Sequence, residues 1–462
     1  MKTTKWQGKH LVILGAARQG LALARFLSKQ GVRITITDQK DEEALMTVME
    51  EYRDSEISWA LGGHPLELLD DADGLALSGG VPLDIPIIQE ARRRGIPFTN
   101  DSQVFLELVP CPVIGITGSA GKTTTTTLVG RIAKTALGED HAWVGGNIGN
   151  PLISDLERIK PGDLAVLELS SFQTELMDVS PEVACILNIT PNHLDRHGTM
   201  EAYSEAKARI LEFQGPNDVA VLNREDPGSW RLRDRVRGDL TSFGREIPSD
   251  GLRGTYLEGD WINFWDGSRS QPLVPVQDIK LRGEHNLMNV LAACAIAKVA
   301  GLPGQAMQQG VASLTGVEHR LEPVRTWKGI EWINDSKATT PQGSIAAIKS
   351  FQEPIVLLAG GRDKDLPWAD FARLVQERVK AAILFGEAAG LIERALLSSL
   401  GAGEKSRPYW ICSSLREAVG KAAQVAEAGD VVLLSPGGTS FDEFNDFEDR
   451  GRMYKKWVSE LN

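Results

Sequence analysis

The sequence predicts an α/β protein divided into three domains built on parallel sheets. Two observations carry that expectation. Short apolar runs recur along the chain, each followed by a glycine-containing or polar turn and then a helical pattern, and they end in polar residues rather than in hairpin turns. The length, 462 residues, exceeds what one hydrophobic core organises.

The first domain is expected over residues 1–108. His10–Leu14 is a short apolar strand, Gly15-Ala-Ala-Arg-Gln-Gly20 a glycine turn, residues 21–29 a helix, and 32–37 the next strand, ending at Asp38. Strand, turn, helix, strand and acid make a Rossmann-like opening. Gly74–Leu77 is a further strand, emptying into Ser78-Gly79-Gly80. Pro110 and Pro112 mark a linker into the second domain, expected over 109–317. There, strand 113–116 runs into Thr117-Gly-Ser-Ala-Gly-Lys-Thr123 and a Thr-rich helix ending at Leu137. Strands at 164–168, 183–188 and 219–222 each end in polar residues, so the parallel sheet carries its polar groups at its carboxyl ends. The third domain, 318–462, alternates strands at 330–334, 355–359, 381–385 and 431–435 with helical stretches such as 415–428. It reads as another Rossmann-like α/β unit.

Charge and composition narrow the class. Lys and Arg number 50 against 62 Asp and Glu, a net charge of −12. That balance lacks the basic face that nucleic acid or an anionic membrane surface attracts. No stretch reaches the roughly 18 apolar residues of a membrane helix. Residues 287–300 come nearest, but they include Asn289 and Lys298 and read as a packed amphipathic helix. Lys2, Lys5 and Lys9 before an apolar run have the outline of a signal peptide, which Arg18 and Gln19 interrupt. Cys111, Cys185, Cys294 and Cys412 form no CxxC pair, which argues against a disulfide frame or a cysteine zinc site. A soluble cytoplasmic protein is expected.

The strongest motif is the 117–123 loop. Between a strand and a helix, such a loop aims backbone N–H groups at phosphate oxygens, helped by the helix dipole. Lys122 would reach the β/γ-phosphates and the Thr123 hydroxyl would bind Mg²⁺. The strict GxxxxGK[ST] pattern needs glycine where Ile116 stands, so this is a shortened variant. The Gly15–Gly20 turn lacks the inner glycine of GxGxxG, yet it can hold a diphosphate on the following helix, with Asp38 facing a ribose or base. On that turn alone, a dinucleotide oxidoreductase or a UDP-sugar sensor stays open. Glu168, ending an apolar strand beside the phosphate loop, is placed to hold Mg²⁺ directly or through water. His193 follows the next strand and reads as functional, His197 as a bystander, and Lys207 as one cation on an exposed helix face.

Taken together, Thr117–Thr123, Leu167-Glu-Leu-Ser-Ser-Phe-Gln173, the 188–197 segment, Ala206-Lys-Ala-Arg209, Gly283-Glu-His-Asn-Leu-Met-Asn289, His319-Arg320 and Asn334-Asp-Ser-Lys-Ala-Thr339 resemble the Mur ligases along the whole chain and in order. Gly360-Gly-Arg-Asp-Lys364 and the 434–444 segment point within the family to the branch that adds D-glutamate to UDP-N-acetylmuramoyl-L-alanine. The Asp-Asn-Pro-Arg motif of the diaminopimelate-adding branch is absent. Folylpolyglutamate synthetases share the ATPase core but lack the N-terminal Rossmann-like domain.

The resemblance implies a Rossmann-like N-terminal domain for the UDP-sugar, a central P-loop ATPase domain, and a C-terminal amino-acid-binding domain. It implies ATP and Mg²⁺ as cofactors and an acyl-phosphate intermediate. It places Gly118, Ser119, Gly121, Lys122, Thr123, Thr124, Asn147, Asn286, Arg320 and Asp335 at ATP. Thr123, Glu168, His193 and a carbamylated Lys207 fall at the metal, with Lys122, His193 and Lys207 catalytic. Gly15, Asp38, Ser78, Gly79 and Gly80 fall at the UDP substrate, and Lys337, Thr339, Lys364, Ser440 and Phe447 at the amino acid. Against the family pattern, Gln39-Lys40 replaces Thr-Arg, and Ser78-Gly79-Gly80 replaces Ser-Pro-Gly. A monomer is expected.

Overall fold

The computed structural model describes residues 3–249, 251–401 and 406–461. Among the described residues the strands form three sheets, each flanked by helices, and these define three α/β domains. The chain packs as two compact units: Met1–Ile279 with Met288–Ser313, and Lys280–Leu287 with Leu314–Asn462.

The first sheet contains β1 (His10–Leu14), β2 (Arg33–Asp38), β3 (Ile57–Leu61), β4 (Gly74–Leu77) and β5 (Phe98–Thr99). They lie in the order β3-β2-β1-β4-β5, all parallel. The direction of winding reverses between β1 and β4, and the turns that follow those two strands carry Gly15 and Ser78. In open α/β sheets a ligand sits in the crevice at such a reversal.

The second sheet contains β6 (Val113–Thr117), β7 (Ala142–Gly146), β8 (Leu164–Glu168), β9 (Val183–Ile186), β10 (Val219–Asn223), β11 (Asp239–Phe243), β12 (Arg253–Glu258), β13 (Trp261–Trp265) and β14 (Ser270–Pro275). Its order is β14-β13-β12-β11-β10-β9-β6-β8-β7. The four expected strands, β6, β8, β9 and β10, are parallel; β7, β11 and β12 extend the parallel set beyond the sequence reading, and β13 and β14 add an antiparallel extension that it also omits. The outermost strand, β14, carries Pro272 and Pro275.

One apolar cluster runs from Trp6, Leu11, Ile13 and Phe26 through Val104 and Phe105 to Leu152, Leu167 and Ile186. The first two sheets therefore share a unit. Polar contacts reinforce the junction: Asn100 Nδ2 donates to the Gln173 carbonyl at 3.0 Å, and Gln173 Nε2 to Ser102 Oγ at 2.7 Å. The helix expected to be amphipathic, Glu284–Val299, is instead buried all round, since every residue from 290 to 297 is fully inaccessible. Small and aliphatic side chains on every face permit this.

The third sheet contains β15 (Glu322–Trp327), β16 (Ile330–Asn334), β17 (Ile355–Gly360), β18 (Val379–Phe385), β19 (Tyr409–Cys412) and β20 (Val431–Gly437). Its order is β15-β16-β20-β17-β18-β19, with only the β15–β16 hairpin antiparallel among the described pairs. Along β17, Ile355, Leu357 and Ala359 enter one apolar cluster while Val356 and Leu358 enter another. Both faces of this sheet are covered, which explains its unbroken apolar strands. All four cysteines are buried free thiols, and no described helix is long and apolar enough to cross a membrane.

The Gly15–Gly20 turn illustrates how tightly the sequence is constrained. Gly20 N–H donates to Ser78 Oγ at 2.9 Å, and a Cβ at Gly20 would lie 2.4 Å from the Gly15 carbonyl oxygen. Gly20→Ala is expected to destabilise the chain by about 1–3 kcal/mol through overpacking against backbone. Chemical denaturation checks it; an unchanged midpoint would show that the turn can open without cost.

Candidate active site

Each domain gathers its polar residues at the carboxyl ends of adjacent strands. In the central domain, the phosphate loop follows β6, Glu168 ends β8, Asn147 follows β7, and Asn188 and His193 follow β9. These four strands are neighbours, so the residues converge although up to 75 positions separate them in sequence. Gly121 takes the left-handed conformation, φ 84°, at the start of the helix Lys122–Leu137, and a Cβ there would collide with Asn289 Oδ1 at 2.3 Å. Glycine is required on both counts.

The loop is braced from the β9 side. Asn188 accepts from Ala120 N at 2.8 Å through its side-chain oxygen and donates to the Ala120 carbonyl at 3.1 Å. Its own carbonyl accepts from Ser119 N at 2.9 Å, and Ser119 Oγ donates to the Thr190 carbonyl. Asn188 thus holds Ala120 by both its N–H and its carbonyl. Asn289, on the helix Glu284–Val299, lies within 3.4 Å of Thr125 Oγ1. Neither residue was assigned a role from sequence. The three-residue spacing from Asn286, one helical turn, was the available signal for Asn289.

Two amines meet on one oxygen. Lys122 Nζ donates to the Gly118 carbonyl at 2.8 Å, and Lys207 Nζ donates to the same carbonyl at 2.9 Å. Lys207 is not an exposed helix cation. It is buried, with its amine also 3.4 Å from Thr117 Oγ1 and 4.8 Å from the centre of the Tyr203 ring. Burial, then repulsion from Lys122, push this amine well below the usual lysine range, while Glu168 pulls the other way. Glu168 is itself buried. Its Oε1 accepts from Asn147 Nδ2 at 2.8 Å, and its Oε2 is buried with no hydrogen-bond partner.

An orphaned buried carboxylate oxygen beside a phosphate loop is a donor shaped for a cation. The donor set of Glu168 and the Thr123 hydroxyl, both oxygen, fits Mg²⁺. Thr124 Oγ1 is likewise buried without a partner. His193 is exposed, in a left-handed conformation with φ 53°, and faces the Phe172 ring edge-on at 5.1 Å. His197, read as a bystander, is the more enclosed of the two histidines and bonds Ser171 Oγ at 3.0 Å.

In the first domain Asp38 ties the turn together. Its two oxygens accept from Ala16 N at 2.7 Å and Lys40 N at 2.9 Å. Gly15 N donates to the Thr37 carbonyl, and Gly79 N donates to Gln19 Oε1 at 3.1 Å. Gly15, Asp38, Ser78, Gly79 and Gly80 are thereby brought to one edge of the sheet, where Gly80 has a left-handed φ of 94°.

In the third domain Lys337 and Thr339 follow β16, Ser440 follows β20 and Lys364 follows β17, again three neighbouring strands. Lys337 Nζ stands 5.3 Å from the Phe447 ring centre, Ser440 is buried and Lys364 is exposed. A fully buried arginine, unforeseen from sequence, joins these loops. Arg450 donates to Ser336 Oγ and to the carbonyls of Ser336, Gly438 and Thr439. Burial lowers its guanidinium to about 10, with Asp442, Asp335 and Glu443 opposing the shift. Arg320 lies between two left-handed residues, His319 at φ 62° and Leu321 at φ 43°. Asp335 holds that turn by accepting from Leu321 N at 3.3 Å and Ser435 Oγ at 2.8 Å. Burial raises the Asp335 carboxyl to about 6, against the nearby Arg320 charge. The Arg320 Nε is buried without a partner, and Asn286 is buried with its side chain donating to the Arg282 carbonyl.

A phosphate loop and a buried acid at the end of parallel strands, in a chain of three α/β domains, mark a nucleotide-binding fold. Solved structures share it. UDP-N-acetylmuramate-alanine ligase MurC from Thermotoga maritima aligns with TM-score 0.59 at 20% identity, over 98% of this chain and 100% of that one. MurF from Acinetobacter baumannii aligns with TM-score 0.57 at 20% identity, over 98% and 90%. Family models match in series: the MurD-like N-terminal domain of Mur ligases at 9–100, the Mur ligase middle domain at 116–297, and the Mur ligase glutamate ligase domain at 319–438. A UDP-N-acetylmuramoylalanine–D-glutamate ligase of Symbiobacterium thermophilum is 42% identical over 97% of this chain and 98% of its own length. Another bearing that name, from Pelotomaculum thermopropionicum, is 40% identical over 98% of both. The chain belongs to the Mur ligase family.

The buried amine makes a stability prediction. An unfolded lysine keeps its proton to about pH 10.4, whereas the buried Lys207 releases it earlier. Between the folded and unfolded values of this amine the unfolded state therefore binds more protons, and this residue's contribution to stability rises with pH until the unfolded lysine titrates. Lys207→Met is expected to raise the thermal midpoint in CO₂-free buffer at pH 7, and by less at pH 10. Thermal unfolding at the two pH values checks it; a lower midpoint at pH 7 would show a favourably charged ammonium instead.

Proposed function

We propose that this chain joins D-glutamate to UDP-N-acetylmuramoyl-L-alanine at the expense of ATP, in the cytoplasm and as a monomer. The acceptor carboxylate attacks the γ-phosphorus of ATP, ADP leaves, and an acyl phosphate forms. The amine of D-glutamate then adds to the acyl carbon, and phosphate leaves from the tetrahedral intermediate. The observation that carries this reading is the pairing of the Lys122 and Lys207 amines on the Gly118 carbonyl, within the field of the buried Glu168.

A carboxylate meeting a polyphosphate is a contact between anions, so catalysis depends on neutralising charge. Lys122 swings from the Gly118 carbonyl to the γ-phosphate, and Gly118, Ser119, Gly121, Thr123 and Thr124 line the phosphates. Thr123, Glu168, His193 and Lys207 would hold Mg²⁺, which supplies further positive charge when bound. Lys207 contributes as a carbamate. Its neutral amine is the form whose lone pair adds to CO₂; the N–C bond forms, a proton leaves nitrogen, and an anionic oxygen ligand results. The depressed amine supports that step. Asn147 orients Glu168, Asn286 meets adenine, and Arg320 and Asp335 meet the ribose and phosphate side of ATP.

At the first domain, Gly15, Asp38 and Ser78 to Gly80 hold the uridine diphosphate portion. At the third, Lys337, Thr339, Lys364, Ser440 and Phe447 form the amino-acid pocket. Two lysines and two hydroxyls suit a substrate with two carboxylates.

Phosphate release with UDP-N-acetylmuramoyl-L-alanine and a panel of D- and L-amino acids is the direct test. D-glutamate is expected to give turnover, and Lys122→Ala to remove most of it; turnover with a different amino acid alone would reassign the pocket. Lys364→Ala should raise the KM for D-glutamate roughly 10–100-fold, the worth of one charge-assisted hydrogen bond, and leave the KM for ATP near its original value. Equal rises in both constants would place Lys364 elsewhere.

A further inference from the structure

Phe172 lies between two histidines. Its ring stacks on His197, with centroids 5.6 Å apart and planes 16° apart, and meets His193 edge-on at 5.1 Å. His197 in turn tilts against Tyr203 at 5.3 Å. Tyr203 donates its hydroxyl to Ser119 Oγ in the phosphate loop at 3.0 Å, and its ring lies 4.8 Å from Lys207 Nζ. One continuous row of rings therefore connects His193 to the phosphate loop and to Lys207.

His197 is the central member of that row, and only 2% of its side chain is exposed. Its Nε2 is 3.0 Å from Ser171 Oγ, and its Nδ1 is 3.9 Å from the Glu175 carboxylate, which burial shifts toward its protonated form. Ser171 and Phe172 begin the short helix directly after Glu168-Leu169-Ser170. His197 thus grips the segment following Glu168 by a hydrogen bond and a stacked face at once. His193, four residues earlier, has the opposite character: exposed and held in a left-handed conformation that non-glycine residues adopt only when neighbours enforce it. The carbonyl of His193 accepts from His197 N at 3.0 Å, so backbone and rings both tie the two histidines together.

We propose that His197 is a positioning residue for the metal-side groups. By clamping Phe172 between itself and His193, it sets the aim of His193 relative to Glu168 and Lys207. A ring is needed for the stack, and a ring nitrogen for Ser171. The proposal rests on His193 acting toward a divalent cation, as read above. Outer partners of metal-side residues affect metal affinity by about 10–100-fold.

Mn²⁺ affinity in the presence of the β,γ-imido analogue of ATP, read by electron paramagnetic resonance on the full chain, tests this without turnover. His197→Ala is expected to weaken Mn²⁺ about tenfold or more, with His197→Phe, which keeps the stack, recovering most of the loss. His193→Ala should also weaken Mn²⁺, and the double variant should bind no worse than His193→Ala alone. Wild-type affinity in His197→Ala beside a weakened His193→Ala overturns the positioning role and leaves the metal reading standing. So does a double variant whose loss is the product of the two single losses. Wild-type affinity in His193→Ala overturns the metal reading itself, and the proposed route with it. If His197→Ala does not fold, His197→Gln, which keeps a partner for Ser171 and loses the ring, replaces it; wild-type affinity there also overturns the proposal.

Discussion

The Gly118 carbonyl accepts from both Lys122 and Lys207, and two ammonium groups cannot share one oxygen in a buried place without strong repulsion. Burial, with repulsion from Lys122, weakens the hold of Lys207 on its proton and so eases the conflict. The helix Met200–Glu212 carries Lys207 to the loop and Tyr203 on the same helix packs against it, while Glu168 pulls the amine the other way, toward its charged form. The phosphate loop in this protein thus meets two basic groups in unlike surroundings, of which Lys207 is the more deeply buried.

The three sheets repeat one solution to the problem of bringing distant residues together. Parallel strands put all their carboxyl ends at one edge, so residues far apart in sequence become neighbours whenever their strands are neighbours. The residues that keep those edges in shape are less conspicuous than those facing a substrate. Asn188 braces the phosphate loop, Asp38 ties the glycine turn, and Arg450 holds the loops around Ser336, Gly438 and Thr439. All three act mainly on backbone groups. Side chains at the positions they bond, such as Ala16 and Lys40, are therefore unconstrained by the clamp itself.

Strand-turn-helix units were legible because apolar runs, glycine turns and helical periodicity occur locally. The glycine-rich loop after β6, the position of Glu168 at a strand end and the parallel character of the main strands followed from that grammar. What escaped was decided by tertiary neighbours. Lys207 looks like an ordinary helix cation until the sheet covers it, and no local pattern distinguishes His197 from a solvated loop histidine. The helix Glu284–Val299 contains Asn289 and Lys298, which suggested a polar face; in the fold Asn289 turns to the phosphate loop and the intervening residues are buried on every side. The β12–β14 extension was missed because its strands mix polar residues, and in β14 prolines, among the apolar ones, which weakens the apolar signal of a buried strand.

That extension has a consequence for the chain's behaviour in a crowded solution. A long sheet presents its last strand as a template on which another polypeptide can pair, the route by which β-rich proteins self-associate. Here β14 is one of the two edge strands of the second sheet, and two of its six residues are proline. Proline has no backbone N–H to offer, and its ring interrupts regular pairing. The hairpin that carries β14 therefore separates the ligand-bearing parallel core from the sheet's vulnerable margin, and it ends the sheet on a strand that resists recruitment of a stranger.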